Sequence, residues 1–329
     1  MLTAIFNTCT EWYNQALEFL ASQLIIPAMY ELGLAGFAED GYVGAEWFLV
    51  GCLQIVTMVL VLRSLEHWRP VQAIRDPRAV RVDMLYTVIH RLGFLRIALF
   101  FLLDPLFDQL AGEASLHGWS RINVENWWPS LTAIPLVSFL IYLVLFDFLD
   151  YWYHRLAHHF NRWWALHAVH HSQQDLTYWS DNRNHLLDDI LRDTFFACVA
   201  LVIGVQPSQY IWLVAVSQWL QSLQHTNVRM SFGWLGERLV VSPRFHRLHH
   251  AIGIGHEMPG KPDVLGGCNF GVLFPWWDML FRTADFTPAY YATGIRDQQA
   301  PPEGLGRDYG RGFWAQQWLG LKRFVRPPV

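Results

Sequence analysis

The chain reads as an all-α integral membrane protein, with about four transmembrane helices, two of them paired in a short hairpin, under a cytoplasmic helical cap rich in histidine. Three observations predict this. Hydrophobic residues fill 53% of the 329 positions and charged residues 16%, whereas soluble domains carry about 25% charge. Apolar runs approaching bilayer-crossing length recur along the chain. The histidines crowd into clusters that follow those runs. A formal net charge of −4, with the basic residues spread as single arginines, excludes a nucleic-acid surface. Lys261 and Lys322 are the only lysines among 24 basic residues, a bias of GC-rich bacterial genomes that points to a bacterial inner membrane. Cys9, Cys52, Cys198 and Cys268 show no C-x-x-C spacing and read as buried free thiols. With no basic leader region, a cleaved signal peptide is not expected.

In chain order, residues 1–43 lack lysine and arginine, and their apolar stretch Leu17 to Leu34 is broken by Glu18, Pro27 and Glu31. This predicts an interfacial segment rather than a span. Ala45 to Leu62 is a clean span. Arg63, Arg69, Arg75, Arg78 and Arg81 follow it and place that loop in the cytoplasm. A second span is expected within Met84 to Phe107, with Arg91 snorkelling at its inner half and Arg96 less easily placed. Ser130 to Phe148 returns inward. Thr194–Val205 and Ser208–Leu223, hinged at Pro207, form the hairpin, extended by flanking residues such as Leu187 to Asp193. Residues 44–283 then make up the membrane domain. The tail, 284–329, ends in an amphipathic helix near Gly312 to Phe324, expected to rest on the inner leaflet with Arg311, Lys322 and Arg323 toward headgroups.

The histidine spacing carries the chemistry. On a helix, His154 and His158 lie one turn apart, while His167, His170 and His171 fall at i, i+3 and i+4, a pattern that His246, His249 and His250 repeat. Each group aims its imidazoles into one volume. Neutral imidazole suits iron, zinc, copper or nickel, and eight converging nitrogens exceed what one four-coordinate zinc uses, so two metals are expected. The topology brings His185 and His225 to the same side. Asp147 and Asp150 precede His154 at i−7 and i−4, placed to accept the outer N–H of a ligating imidazole, a role Asp188 and Asp189 could serve likewise. His159 falls off the ligand face, and His256 lies in a glycine-rich loop as a surface or gating residue.

Together, HRLAH at His154, HAVHH at His167, RNH ending at His185, QHTN at His225, HRLHH at His246 and NFGVLFPWWDMLFRT from Asn269 to Thr283 resemble the fatty acid hydroxylase superfamily, or sterol desaturase family. The resemblance runs from near Phe139 to Thr283. It implies an integral membrane di-iron oxygenase that hydroxylates or desaturates lipids. It further implies metal ligation by His154, His158, His167, His170, His171, His225, His246, His249 and His250, with His185 matching the R-x-H-P motif except for Leu186 in place of proline. Asn269 with Asp278 matches the NYG…WD segment, as support for the cap. Arg282 stands where the family has glycine.

The expected function is O2-dependent hydroxylation of a membrane lipid by two iron ions, with O2 as co-substrate; a lipid desaturase and a non-enzymatic metal-binding protein are the alternatives. A zinc hydrolase would need an H-E-x-x-H context, which the chain lacks. A metal carrier wants polar residues along its spans, whereas these histidines sit at one end. No ferredoxin segment, dinucleotide fingerprint or cytochrome b5 signature is visible, so an external electron donor, a ferredoxin or cytochrome b5-type reductase system, is expected.

Overall fold

The computed structural model describes residues 2–95, 106, 109–110, 112–118, 122, 124–299 and 306–326. The N-terminal segment is helical over Leu2–Phe19 (α1) and Ile26–Glu31 (α2), joined through a widened i→i+5 turn at Leu20–Ile25. Pro27 lies in the first turn of α2, where its missing N–H breaks no ladder bond. A short turn then reverses the chain into Ala38–Thr57 (α3), which continues into Arg63–Trp68 (α4). α1 lies along α3 through Leu17, Ala21 and Ala45, and Tyr13 Oη donates to Glu46 Oε1 at 3.3 Å. Residues 2–31 thus form one arm of a helical hairpin whose other arm is α3, with the Tyr13–Glu46 bond between them.

Asp40–Trp68, with mean hydropathy 2.1, and Pro135–Ala157 (α6), with 1.5, are the two described helices long and apolar enough to cross a membrane. Between them lies Pro77–Arg91 (α5), capped by the Asp76 carboxylate on the N–H groups of Arg78 and Ala79. The first part of the expected second span, Met84 to Arg91, belongs to α5. α5 buries Asp83, Thr87, His90 and Arg91, and it stops at Leu92, ahead of Gly93 at φ 77°. Arg91 does not snorkel. Its guanidinium, buried, donates to Asp181 Oδ2 at 2.7 Å, Ser222 Oγ at 2.7 Å and Asn182 Oδ1 at 3.0 Å, and those partners offset the cost of burying the charge. Arg96 and most of the remaining expected span lie outside the described residues.

Asn161–His171 (α7) follows α6, and Leu186–Ile203 (α8) and Pro207–Gln224 (α9) form the hairpin, each 18 residues. Gly204, at φ 79° in the left-handed region, ends α8, and Pro207 opens α9 at a position that needs no N–H. α6, α8 and α9 pack around Tyr142, Leu143, Ala200, Val205 and Leu213. The cap continues with Gly233–Leu239 (α10), Pro243–His249 (α11), a β-hairpin of Glu257–Met258 with Lys261–Leu265, and Trp276–Leu280 (α12).

The C-terminal helix Phe313–Val325 (α13) does not simply rest on a leaflet. It buries Phe313, Gln316, Gln317 and Gly320 against the cap, leaving Trp314 and Trp318 exposed. Gln317 explains the docking: its backbone carbonyl meets His185 Nε2 at 2.8 Å and its Oε1 accepts from Leu186 N at 2.7 Å. Arg323 folds back over the Tyr309 ring, 4.2 Å from its centroid, rather than toward headgroups. The four cysteines are free; Cys9 is exposed, and Cys52, Cys198 and Cys268 are half-buried rather than buried.

Candidate metal centre

Four helix ends converge. α6 supplies His154, with His158 just past its end; α7 supplies His167, His170 and His171; His225 caps α9; α11 supplies His246 and His249, with His250 as its cap. Two groups of four imidazoles result, His154, His158, His171 and His249 in one and His170, His225, His246 and His250 in the other, the ligand-type atoms within each lying within 4.8 Å of one another. All eight residues are buried.

The nitrogens face inward at close range. His158 and His171 approach Nε2 to Nε2 at 3.0 Å, His225 and His246 at 3.0 Å, His246 and His250 at 3.1 Å, and His170 and His225 at 3.2 Å. Two nitrogens on one metal with bonds of about 2.1 Å stand about 3.0 Å apart at a right angle and about 3.4 Å apart at a tetrahedral angle. The observed spacing matches ligands sharing an ion. Burial, with the neighbouring imidazoles, holds His158, His170, His171, His246, His249 and His250 well below the usual histidine range, which keeps them neutral and able to ligate.

Outer hydrogen bonds set the tautomers. His154 Nδ1 meets Phe270 O at 2.9 Å, His249 Nδ1 meets Cys268 O at 2.8 Å and His225 Nδ1 meets Gln221 O at 2.7 Å. With those ring nitrogens donating, the opposite Nε2 lone pairs point into the cluster. His154 Nε2 and His249 Nε2 are buried with no protein partner. Because buried polar atoms are nearly always satisfied, the donor set fits a metal.

The segment after α11 is the frame for these bonds. Asn269, at φ 58°, donates through Nδ2 to Phe245 O at 3.0 Å and to Asp285 O at 2.9 Å, tying the segment to α11. Asp278 accepts from the N–H groups of Phe270 at 2.9 Å and Gly271 at 2.6 Å. The Asn269–Asp278 pair thus supports the two carbonyls that orient His154 and His249.

Several sequence-predicted residues act differently. Asp147 touches no imidazole; it accepts from Leu273 N at 2.6 Å, Phe274 N at 3.2 Å and Trp277 Nε1 at 2.8 Å. Asp150 is paired with the Arg192 guanidinium instead. One turn spacing places a carboxylate on the ligand face, but backbone donors and an arginine compete for it. Asp188 is instead the carboxylate beside His167, 3.3 Å from its Nδ1, while His167 Nε2 lies 3.2 Å from His171 Nε2. His185 has both nitrogens engaged away from the cluster: Nδ1 accepts from Leu187 N at 3.1 Å to cap α8, and Nε2 faces Gln317 O. Leu186, in the place of a proline, has an N–H to satisfy, and Gln317 supplies the acceptor.

His256 joins the site against expectation. It is buried, with Nε2 3.0 Å from His171 Nδ1. The loop folds back over α11 because residue 255 is glycine, where a Cβ would meet the His249 carbonyl oxygen at 1.7 Å. That glycine was the available signal, since the five residues between His250 and His256 give no helical periodicity. His159 is exposed, as its position on the helix predicts.

Comparison with known proteins agrees with this site. Residues 139–283 match the model of the fatty acid hydroxylase family. The chain is 27% identical to the ornithine lipid hydroxylase OlsE of Rhizobium tropici over 90% of its own length and 82% of the relative's. It is 28% identical to a delta(7)-sterol 5(6)-desaturase of Gibberella zeae over 53% of its length and 50% of the relative's. It is 31% identical to the alkylglycerol monooxygenase of Homo sapiens over 42% of its length and 28% of the relative's. No solved structure matches. Residues 139–283 thus carry a fatty acid hydroxylase domain, and the chain is similar to lipid hydroxylases, monooxygenases and sterol desaturases.

Proposed function

We propose that the protein is an O2-dependent di-iron hydroxylase acting on a C–H bond of a membrane lipid. The observation that carries this reading is the pair of four-imidazole groups, buried side by side, with the Nε2 atoms of His154 and His249 unpartnered in one and those of His170, His225, His246 and His250 converging at 3.0–3.2 Å in the other. His154, His158, His171 and His249 would hold one ion, with His167 beside them, and His170, His225, His246 and His250 the other; His185 is left out because both its nitrogens are used. Iron bound there supplies O2 activation for oxygen insertion into an unactivated C–H bond.

The protein's own residues do the rest. The carbonyls of Phe270, Cys268 and Gln221 fix ring orientation; Asp188 holds His167, and Asp181, 3.8 Å from His225 Nδ1, adds negative charge beside the second group. Hydroxylation converts R–H and O2 to R–OH and water with two electrons and two protons added, so an external donor, a ferredoxin or cytochrome b5-type reductase system, is part of the proposal. Residues 44–283 form the functional unit, in a bacterial inner membrane. The arginines after α3 face the cytoplasm, and α8 and α9 complete a four-helix crossing.

The ornithine lipid named for the Rhizobium tropici relative is the first substrate to assay. The test is lipid analysis of cells with and without the gene, grown under 18O2. A lipid gaining one labelled oxygen supports hydroxylation; loss of two hydrogens without label reassigns the protein as a desaturase; an unchanged lipid profile with an iron-loaded, electron-supplied protein refutes the oxygenase.

A further inference from the structure

His256 is buried beside the first imidazole group yet belongs to neither group. Its place is built by glycines. Gly253 turns the chain at φ 79°, the backbone at residue 255 lies against the His249 carbonyl, and a Cβ on Gly267, at φ 122°, would meet the Gly255 carbonyl oxygen at 2.1 Å. Gly266 N donates to His256 O at 2.9 Å, and the Arg296 guanidinium grips the next residue, Glu257, at 2.6 and 2.8 Å. The base of the β-hairpin is thereby held against α7 and α11, with one imidazole beneath it.

Where that imidazole points decides its role. His256 Nε2 lies 3.0 Å from His171 Nδ1, whereas the other ring nitrogen of His171, Nε2, faces into the group, 3.0 Å from His158 Nε2 and 3.2 Å from His167 Nε2. His256 therefore meets the outward side of a ligand-type imidazole and is not a further ligand. To offer an Nε2 lone pair to a metal, a neutral His171 must carry its proton on Nδ1, and a buried N–H needs an acceptor. His154 and His249 meet the same need with the carbonyls of Phe270 and Cys268. For His171 the acceptor is the His256 ring.

We propose that His256 is a positioning residue: it accepts the Nδ1 proton of His171 and so fixes the tautomer and tilt of that ring, letting His171 Nε2 complete the group formed with His154, His158 and His249. This rests on the metal-centre reading above. The effect is confined to one group. The ring neighbours of His256 are His158, Trp164 and His171, with centroids at 6.1, 5.3 and 4.6 Å, and both histidines belong to the first group. Removing His256 should loosen one ion of two.

The test compares the wild type with His256→Phe and His256→Gln, each full-length, in detergent and reconstituted with ferrous iron. Phenylalanine keeps a ring and loses the acceptor; glutamine supplies one through Oε1. Release of iron to the chelator ferrozine should speed up about 10–100-fold for one of the two ions in His256→Phe and return to the wild-type rate in His256→Gln, a rescue that a space-filling role would not give. In the metal-free protein, nitrogen-15 spectra of histidine-labelled material should show the His171 proton on Nδ1 in the wild type and in His256→Gln, and a mixture of tautomers in His256→Phe. Should the phenylalanine variant fail to fold, His256→Leu takes its place. Equal loosening of both ions, wild-type release from a folded variant that lacks the acceptor, or no rescue by glutamine would overturn the proposal. A wild type that takes up no iron yet keeps the Nδ1 tautomer of His171 would refute the metal centre and keep the His256–His171 bond.

Discussion

His154 and His249 show how single residues specify the site. Each spends its Nδ1 on a backbone carbonyl and leaves a buried Nε2 without a protein partner, an arrangement costing about 1–3 kcal/mol per atom unless something binds there. His249→Ala should therefore lose at least one of two bound metals while membrane insertion and helix content, read by circular dichroism, stay unchanged. Asp188→Asn keeps the shape but weakens the hold on His167, and metal affinity should fall about 10–100-fold in a chelator competition. His185→Ala separates cap from ligand: metal content should stay at the wild-type level while stability drops by about 1 kcal/mol, measured as the thermal midpoint. At this scale helical periodicity brings His170 and His171 to the site, but the structure deals them to different groups and leaves His167 beside them in neither. The sequence was not legible where a tertiary acceptor decides, as in His185, whose Nε2 meets a carbonyl 132 residues away.

Among the elements, the segment from Cys268 to Thr283 acts as a strut rather than as a participant in chemistry, since the Cys268 and Phe270 carbonyls, with the Asp278 carboxylate behind them, hold the imidazoles of α11 and α6 in place. Arg282 closes this strut at φ 59°, a left-handed conformation that glycine adopts without strain. Arg282→Gly should raise stability by about 1 kcal/mol without changing metal content, checked by thermal denaturation of the purified protein. The hairpin of α8 and α9 was readable from its apolar runs and Pro207. α5 was not, because its run of mixed residues hides a buried polar face: Asp83 accepts from Arg183 Nη1 at 2.8 Å and Ser180 Oγ at 2.9 Å, contacts that hydropathy does not report. The same holds for α13, whose glutamines dock it where its apolar face suggested a lipid surface.

At the scale of the molecule, helices that run through an apolar bundle deliver their histidine-bearing ends to one place, so the bundle fixes the spacing of the imidazoles and the cap seals them from water. Composition and the clustering of histidine foretold this division of labour; the packing of the N-terminal arm against α3 and the inclusion of His256 depended on contacts no periodicity encodes. The central claim is that the two imidazole groups hold two irons. Mass-spectrometric metal analysis of the full-length protein, purified without chelator and reconstituted with ferrous iron, tests it most directly. The account predicts two irons per chain, falling in His249→Ala; no bound iron, or a wild-type iron content in that variant, would contradict it.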